Sequence, residues 1–333
     1  MKSATICLVG LLIAANTEAE PVTLRMAAIA PEGTAWAREI KGFAREVESA
    51  TNGEVKVKWY LGGIAGDEVT ELERMRHGQL DGAAGAIFCQ RLAPSLRVVR
   101  VVGLFQSRDE VAYVLGRLKP QLDDEFRKAG FANLGEGIFG IDMLFSRKPV
   151  RSMADLRAGK WWVWNLDPIW QATLPLLGAK MATSSLDDLS AQYRAGAFDG
   201  FFAVPSAALA YQWSTQATHF VDLNAAVLPA CAVMSNSAFD PLPVDARQKI
   251  AAAAAKFMNH FNAINAQLDA QLTDGLFEKQ GLRKTPLTNE LRAAFMSATK
   301  AAREQLSEKE VPRALLDQVE KMLADYRHHE RGR

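Results

Sequence analysis

The chain is poor in the residue types that announce chemistry most directly. Its 333 residues include five histidines and three cysteines, with no metal-ligand spacing among them. His77, His219 and His260 are scattered, and the adjacent His328 and His329 fall in a polar tail. The sequence contains no GxSxG, no HExxH, no P-loop and no GxGxxG after a strand, which removes the common hydrolase, metalloprotease and nucleotide-binding signatures. It also lacks a charge surplus. Lys and Arg number 39 against 38 Asp and Glu, a formal net charge of +1, and nucleic-acid partners need a basic excess. Beyond the first twenty residues no uncharged apolar run approaches the length of a membrane span,. What is present is a globular composition, 49% apolar and 23% charged, enough for one large or two ordinary domains with a real core.

Met1 to Ala19 reads as a secretory signal peptide. Lys2 supplies the positive start, Ala4 to Ala15 the apolar stretch, and Ala19 a small residue suited to cleavage,. The mature chain is expected to be soluble and exported. It keeps Cys89 and Cys231. An oxidising compartment leaves one disulfide open to them, but two separate buried thiols are the preferred expectation, because cysteine is often simply core.

Strands and helices alternate in short units. Val22–Ile29 reads as a strand, and Trp36, Ile40, Phe43 and Val47 recur at helical spacing after it,. Val55–Tyr60 alternates as a second strand, Asp67 caps a helix, and Gly82–Phe88 forms a small-residue strand,. A second set begins near Gly140, with strands at Met143–Ser146, Lys160–Trp164 and Gly196–Val204 and helices between them. Ala251–Leu276 is a long alanine-rich helical segment,. The pattern indicates an α/β fold in two lobes. Asp187 and Asp188 open a helix behind Ser184-Ser185 and are read as capping and dipole groups, not as an acid–base pair,.

The order of motifs resembles the periplasmic solute-binding subunit of TRAP transporters, the DctP-like family. APEGTAW before an amphipathic helix that ends at TNGEVKV resembles the start of that family. ELERMRHGQLDGA, SRKPVRSMADLRAGKWWVW, LGAKMATSSLDDLSAQYRAGAFDGF, and QATHFVDL with NSAFDPLPVDARQKI follow in its order. The likeness runs from about Val22 to Leu282. It implies a two-lobed, type II-like periplasmic binding protein fold with a long hinge-spanning helix, and no enzymatic activity. It divides the chain into a signal peptide at 1–19, lobe I at 22–139 plus about 228–267, lobe II at 140–227 plus about 268–326, and a frayed tail at 327–333. It also implies a small organic ligand held between the lobes, TRAP membrane permease subunits as partners, and no cofactor or metal.

Three departures from the family pattern bear on the ligand. The arginine that grips a carboxylate in such proteins falls here on Trp162, within Lys160-Trp161-Trp162-Val163-Trp164. The stretch Glu136–Ser146, where a second arginine often lies, has none and carries Asp142. The turn Asp199-Gly200 is followed by Phe201-Phe202-Ala203-Val204 instead of polar residues. A guanidinium fork fits a carboxylate and an indole does not, so the expected ligand is apolar or amphipathic. Burying ~300 Å² of apolar ligand would contribute about 7 kcal/mol before entropy losses. Candidate ligand contacts are Trp162 and Trp164, which share one face of a strand, with Phe88, Phe139, Asp142, Phe202 and Ala203. Trp161 and Trp170 are assigned to the core, Tyr211 and Trp213 to a lobe surface. The missing arginine also resembles a branch of the family that works with a helical-repeat periplasmic partner. Two other classes compete with transport: a periplasmic carrier or chaperone of a lipid-like ligand without coupled uptake, and a secreted enzyme on the same scaffold.

Overall fold

The computed structural model describes residues 20–331; the leader read over 1–19 lies outside the described residues. The first half of the chain supplies β1 (Val22–Ala27), α1 (Ala35–Ala50), β2 (Val55–Tyr60), α2 (Glu68–Arg76), β3 (Gly82–Gly85) and α3 (Ile87–Leu92). A 3₁₀ turn at Pro94–Arg100, α4 (Arg108–Lys128) and β4 (Phe131–Ile141) follow. The second set is β5 (Met143–Ser146), α5 (Met153–Ala158), β6 (Lys160–Trp164), α6 (Pro168–Leu176), β7 (Lys180–Ser184), α7 (Leu186–Arg194), β8 (Gly200–Ala203), α8 (Pro205–Ala210) and β9 (His219–Val221). The chain then returns through β10 (Val227–Ser235), α9 (Asn236–Phe239) and α10 (Val244–Gln271). It ends with α11 (Phe277–Lys279), β11 (Arg283–Lys284), α12 (Asn289–Arg303) and α13 (Arg313–Arg331).

Two sheets result, ordered β2-β1-β3-β10-β4 and β11-β9-β5-β8-β6-β7. They are joined where β4 runs into β5 at Asp142 and where the chain comes back into β10. The two crossings lie side by side: Asp142 N–H donates to Ala226 O at 2.7 Å, and Ala225 N–H donates to Asp142 O at 2.9 Å. β4 and β10 pair antiparallel along most of their length, which braces the crossing.

Several helices form where the pattern placed them, but α3 and α4 were not read and α10 begins at Val244, ahead of the segment read from Ala251. Thr34, Asp67, Ser152 and Ser185 each accept a backbone N–H as N-caps of α1, α2, α5 and α7, satisfying donors a helix start leaves free. α1 buries Trp36, Ile40, Phe43 and Val47 against α10, whose Phe257, Met258 and Phe261 belong to the same core. α10 lies close over β4 because of glycine: a Cβ at Gly137 would sit 2.5 Å from Met258 Cε. At the far end of α10, Asp269 accepts from Arg108 of α4 at 2.7 Å and from Ser206 N–H at the start of α8 at 3.0 Å. The helix thus ties elements beside both sheets. α12 packs on α5 and α6, whereas α13 turns back onto α4. The stretch after 326 continues α13 to Arg331, and Arg327 donates to Glu110 at 2.6 Å and 2.8 Å.

The cysteines correct the expectation of separate thiols. Cys89 on α3 and Cys231 on β10 form a disulfide, S–S 2.10 Å, across a sequence separation of 142. Both are core residues, but α3 lies against β10 and brings the two sulfurs together, a juxtaposition invisible in their spacing. The strand read as Gly82–Phe88 also ends early. It stops at Gly85 and α3 begins at Ile87, because Glu68 accepts the backbone N–H groups of Ala86, Ile87 and Phe88 and turns the chain.

Two expectations for stability follow. Opening the disulfide, by reductant or by Cys231→Ser, should lower unfolding free energy by about 2–4 kcal/mol, seen as a lower denaturant midpoint; an unmoved midpoint contradicts the bond. The second concerns Glu71 of α2, fully buried with no hydrogen-bond partner for either carboxylate oxygen among the described residues. Burial, then the nearby Glu68 carboxylate, pushes it from 4.5 up to about 9. The folded chain keeps a proton there that the unfolded chain releases. Stability is therefore full below about pH 4.5 and falls as pH rises toward 9, by up to about 1.4 kcal/mol per unit. Glu71→Gln should flatten the fall of Tm between about pH 5 and pH 8. An unaltered slope would contradict this assignment.

Candidate ligand-binding cavity

Between the two sheets lies a cavity that is partly open to solvent, with about 720 Å³ of space not filled by atoms, open solvent included. The first sheet side contributes Ile29 and Ala30 after β1, Trp36 of α1 and Phe139 near the end of β4. The second contributes Trp162, Val163 and Trp164 of β6, with Phe202 and Ala203 of β8. Period-two alternation along β6 sorts its indoles. Trp161 enters the core shared with Leu156 and Leu174, while Trp162 and Trp164 turn the other way, toward Trp213.

The lining is largely aromatic and its rings pack on one another. Trp36 meets Phe139 edge-on at 4.9 Å, Trp162 lies 5.7 Å from Trp213, Tyr211 stacks on Trp213 at 4.9 Å, and Trp170 stacks on Phe202 at 4.1 Å. Such pairs hold their side chains in register beyond what area burial alone achieves.

Most polar groups at the wall are already engaged. Trp36 Nε1 donates to Asn265 Oδ1 at 2.7 Å, Trp162 Nε1 to Ser184 Oγ at 2.8 Å, and Tyr211 OH to Ile29 O at 3.0 Å. The last of these joins a residue after α8 to the loop after β1. The single basic residue in the lining, among the described residues, is Arg100, at the end of the 3₁₀ turn. Its Nη1 lies 2.7 Å from Asp142 Oδ2, and its Nε and Nη2 donate to Asp167 Oδ2 at 2.8 Å and 2.7 Å. The three side chains are 6%, 1% and 3% exposed, so this is a buried triad. Asp167 also caps α6 through Trp170 N–H, and Trp170 Nε1 donates to Asp142 Oδ2 at 2.7 Å. Burial pushes the Asp142 carboxyl up, against the pull of Arg100. Glu68, also in the wall, is raised to about 7 by burial, opposed by its three backbone N–H bonds.

Of the residues singled out from the sequence, Trp162, Trp164, Phe139, Asp142, Phe202 and Ala203 all line this cavity. Phe88 does not. It is fully buried in the core beside Cys89 and Leu92, because the turn at Ala86 places it in α3 instead of at a strand end. Tyr211 and Trp213, expected on a lobe surface, face the cavity, since α8 folds them back over β6. Trp170, expected in the core, is both buried and part of the wall. Trp36, Glu68, Arg100 and Asp167 were not anticipated; the first three come from elements distant in sequence from β6, and Asp167 caps α6 just after it. The one available signal was an Arg in the apolar run LRVVRVVGLF, where a buried cation needs carboxylate partners.

Comparison with known proteins follows from this geometry. Residues 26–310 match the DctP family profile, bacterial extracellular solute-binding protein, family 7. A solute-binding protein of Roseobacter denitrificans is 25% identical over 201 residues, which span 59% of this chain and 61% of that protein. Its solved structure, a TRAP periplasmic solute-binding protein with bound L-galactonate, superposes with a TM-score of 0.80 at 21% identity, covering 90% of this chain and 99% of that one. A solute-binding protein of Verminephrobacter eiseniae is 24% identical over 308 residues, 91% of this chain and 90% of that protein. A TRAP periplasmic solute-binding protein of Desulfovibrio salexigens with bound orotic acid gives a TM-score of 0.83 at 18% identity, over 91% and 99% of the two chains.

The triad makes its own prediction. Arg100→Met leaves two buried carboxylates without a cation and should destabilise the fold by about 3–5 kcal/mol. Asp142→Asn leaves one carboxylate against one guanidinium and should cost only about 1–2 kcal/mol. Equal losses in urea unfolding would contradict the charge count.

Proposed function

The chain belongs to family 7 of the bacterial extracellular solute-binding proteins, the DctP family, and from that premise we propose that it is the periplasmic receptor of a TRAP-type secondary transporter. It is a binding protein and not an enzyme. On this reading it is exported by its leader at 1–19, captures an organic ligand with an apolar body, and delivers it to membrane permease subunits. The lobes are the two sheets with their helices, α13 joining the first, and they close by hinging at the crossing beside Asp142. Closure is a population shift driven by contacts made only when both walls touch the ligand.

The observation that carries the ligand class is the state of Arg100. The relatives named above hold galactonate and orotic acid, both acids. Here the only basic group in the wall is paired with two carboxylates, and an indole stands at Trp162. A ligand carboxylate would be buried without a cation, at several kcal/mol of uncompensated desolvation. An apolar body meets indole and phenyl faces instead. Neutral donors remain at Trp164 and Trp213 for an oxygen on the ligand.

The natively purified mature chain, extracted with solvent and examined by mass spectrometry, should release an organic species without a free carboxylate at near one per chain. Trp162→Ala should weaken its rebinding at least tenfold, and Trp162→Arg should weaken it while admitting a carboxylate. A stoichiometric small organic acid in the extract, or unchanged affinity in Trp162→Ala, would overturn the ligand assignment.

A further inference from the structure

We propose that the ligand's polar end is an organic cation, an ammonium group on an apolar body, seated against Asp142 and faced by the aromatic wall. This rests on the cavity being the ligand site and narrows the ligand's chemistry there.

The buried triad is one positive charge short. Asp142 and Asp167 share the single guanidinium of Arg100, and all three side chains are at least nine-tenths buried. Desolvated charge of one sign is relieved by taking up a proton, the direction in which burial pushes Asp142, or by a counter-charge. No Lys or His lines the cavity among the described residues, so none of its own side chains supplies it. A cationic ligand would.

The free valence is also localised. Both oxygens of Asp167 are engaged, Oδ1 by Trp170 N–H and Oδ2 by Arg100. Asp142 receives Trp170 Nε1 and Arg100 on Oδ2. Its Oδ1 has no hydrogen-bond partner among the described residues. An ammonium has donors only, and a carboxylate oxygen in the wall accepts only. The surroundings agree with that charge. Trp170, whose indole N–H holds Asp142, stacks on Phe202 at 4.1 Å, and both line the cavity. Ring faces carry negative potential, and a desolvated cation beside them is stabilised. Glu68 adds a third carboxyl group to the wall, beside those of Asp142 and Asp167. Its carboxylate is held in place by the backbone N–H groups of Ala86, Ile87 and Phe88.

The test uses three probes with one body and different heads: 2-phenylethylammonium, 2-phenylethanol and 3-phenylpropanoate. Each is titrated by calorimetry into the mature chain, stripped of bound ligand and refolded, at one ionic strength. The ammonium should bind at least tenfold tighter than the alcohol, with the propanoate weakest. Asp142→Asn should bring the ammonium to within about threefold of the alcohol. An alcohol as tight as the ammonium would overturn the cation assignment while leaving the apolar cavity intact. A propanoate tighter than both would overturn the cation assignment and the proposed ligand class together. An ammonium preference that survives Asp142→Asn would overturn the seat at Asp142. The ordering on the wild-type chain decides the ligand's charge even if the variant does not fold.

Discussion

The guanidinium of Arg100 holds together the place where the two sheets meet. It sits on the turn before α4, on the first sheet's side. It grips Asp142 at the crossing between β4 and β5, and Asp167 at the start of α6. Three segments far apart in sequence converge on one buried cation. Such a cluster is a weak source of net stability, because desolvation offsets attraction. Its consequence is geometric. Removing the cation strands two carboxylates in a place water does not reach, so arrangements that separate these segments are penalised. The same cluster places one guanidinium and two carboxyl groups at the cavity wall.

Around that cluster the wall is built from rings whose polar tips are mostly turned into the protein. Trp36, Trp162, Trp170 and Tyr211 each donate to a protein acceptor. Their faces stay toward the cavity. An aromatic with its N–H or O–H satisfied behaves as a rigid apolar surface, and the ring pairs keep it in place before any ligand arrives. Preorganisation of this kind reduces the ordering cost of binding. Asp142 is at once a crossing residue, a member of the triad and part of the cavity wall.

Much of the architecture was legible in the chain. The apolar face of α1, the caps of α2, α5 and α7, the alternation along β6 and the length of α10 are local properties, and local periodicity reports them well. The ordered motifs that resemble DctP-like proteins carried the topology. Within the site, Trp162 and Trp164 were readable because a strand alternates its faces. Asp142 was singled out because it stands near the place where the family resemblance puts a second arginine. Phe88 was misplaced because the stop signal for its strand is Glu68, eighteen residues upstream of the Ala86 N–H it accepts. The disulfide was misjudged because 142 residues separate its cysteines and no spacing rule reaches that far.

Sequence alone determined the class of the molecule, its two α/β sets, and the loss of the arginine that a carboxylate ligand needs. The two sets follow from composition and period; the class and the missing arginine follow from the resemblance of ordered motifs to the DctP-like family. The tertiary structure decided that Arg100 answers to Asp142 and Asp167, that Tyr211 and Trp213 face inward, and that Cys89 meets Cys231. Each is a meeting of side chains from distant segments. Where a buried charge finds its partner depends on which surfaces the folded chain brings within a few ångströms, and no single segment contains that information.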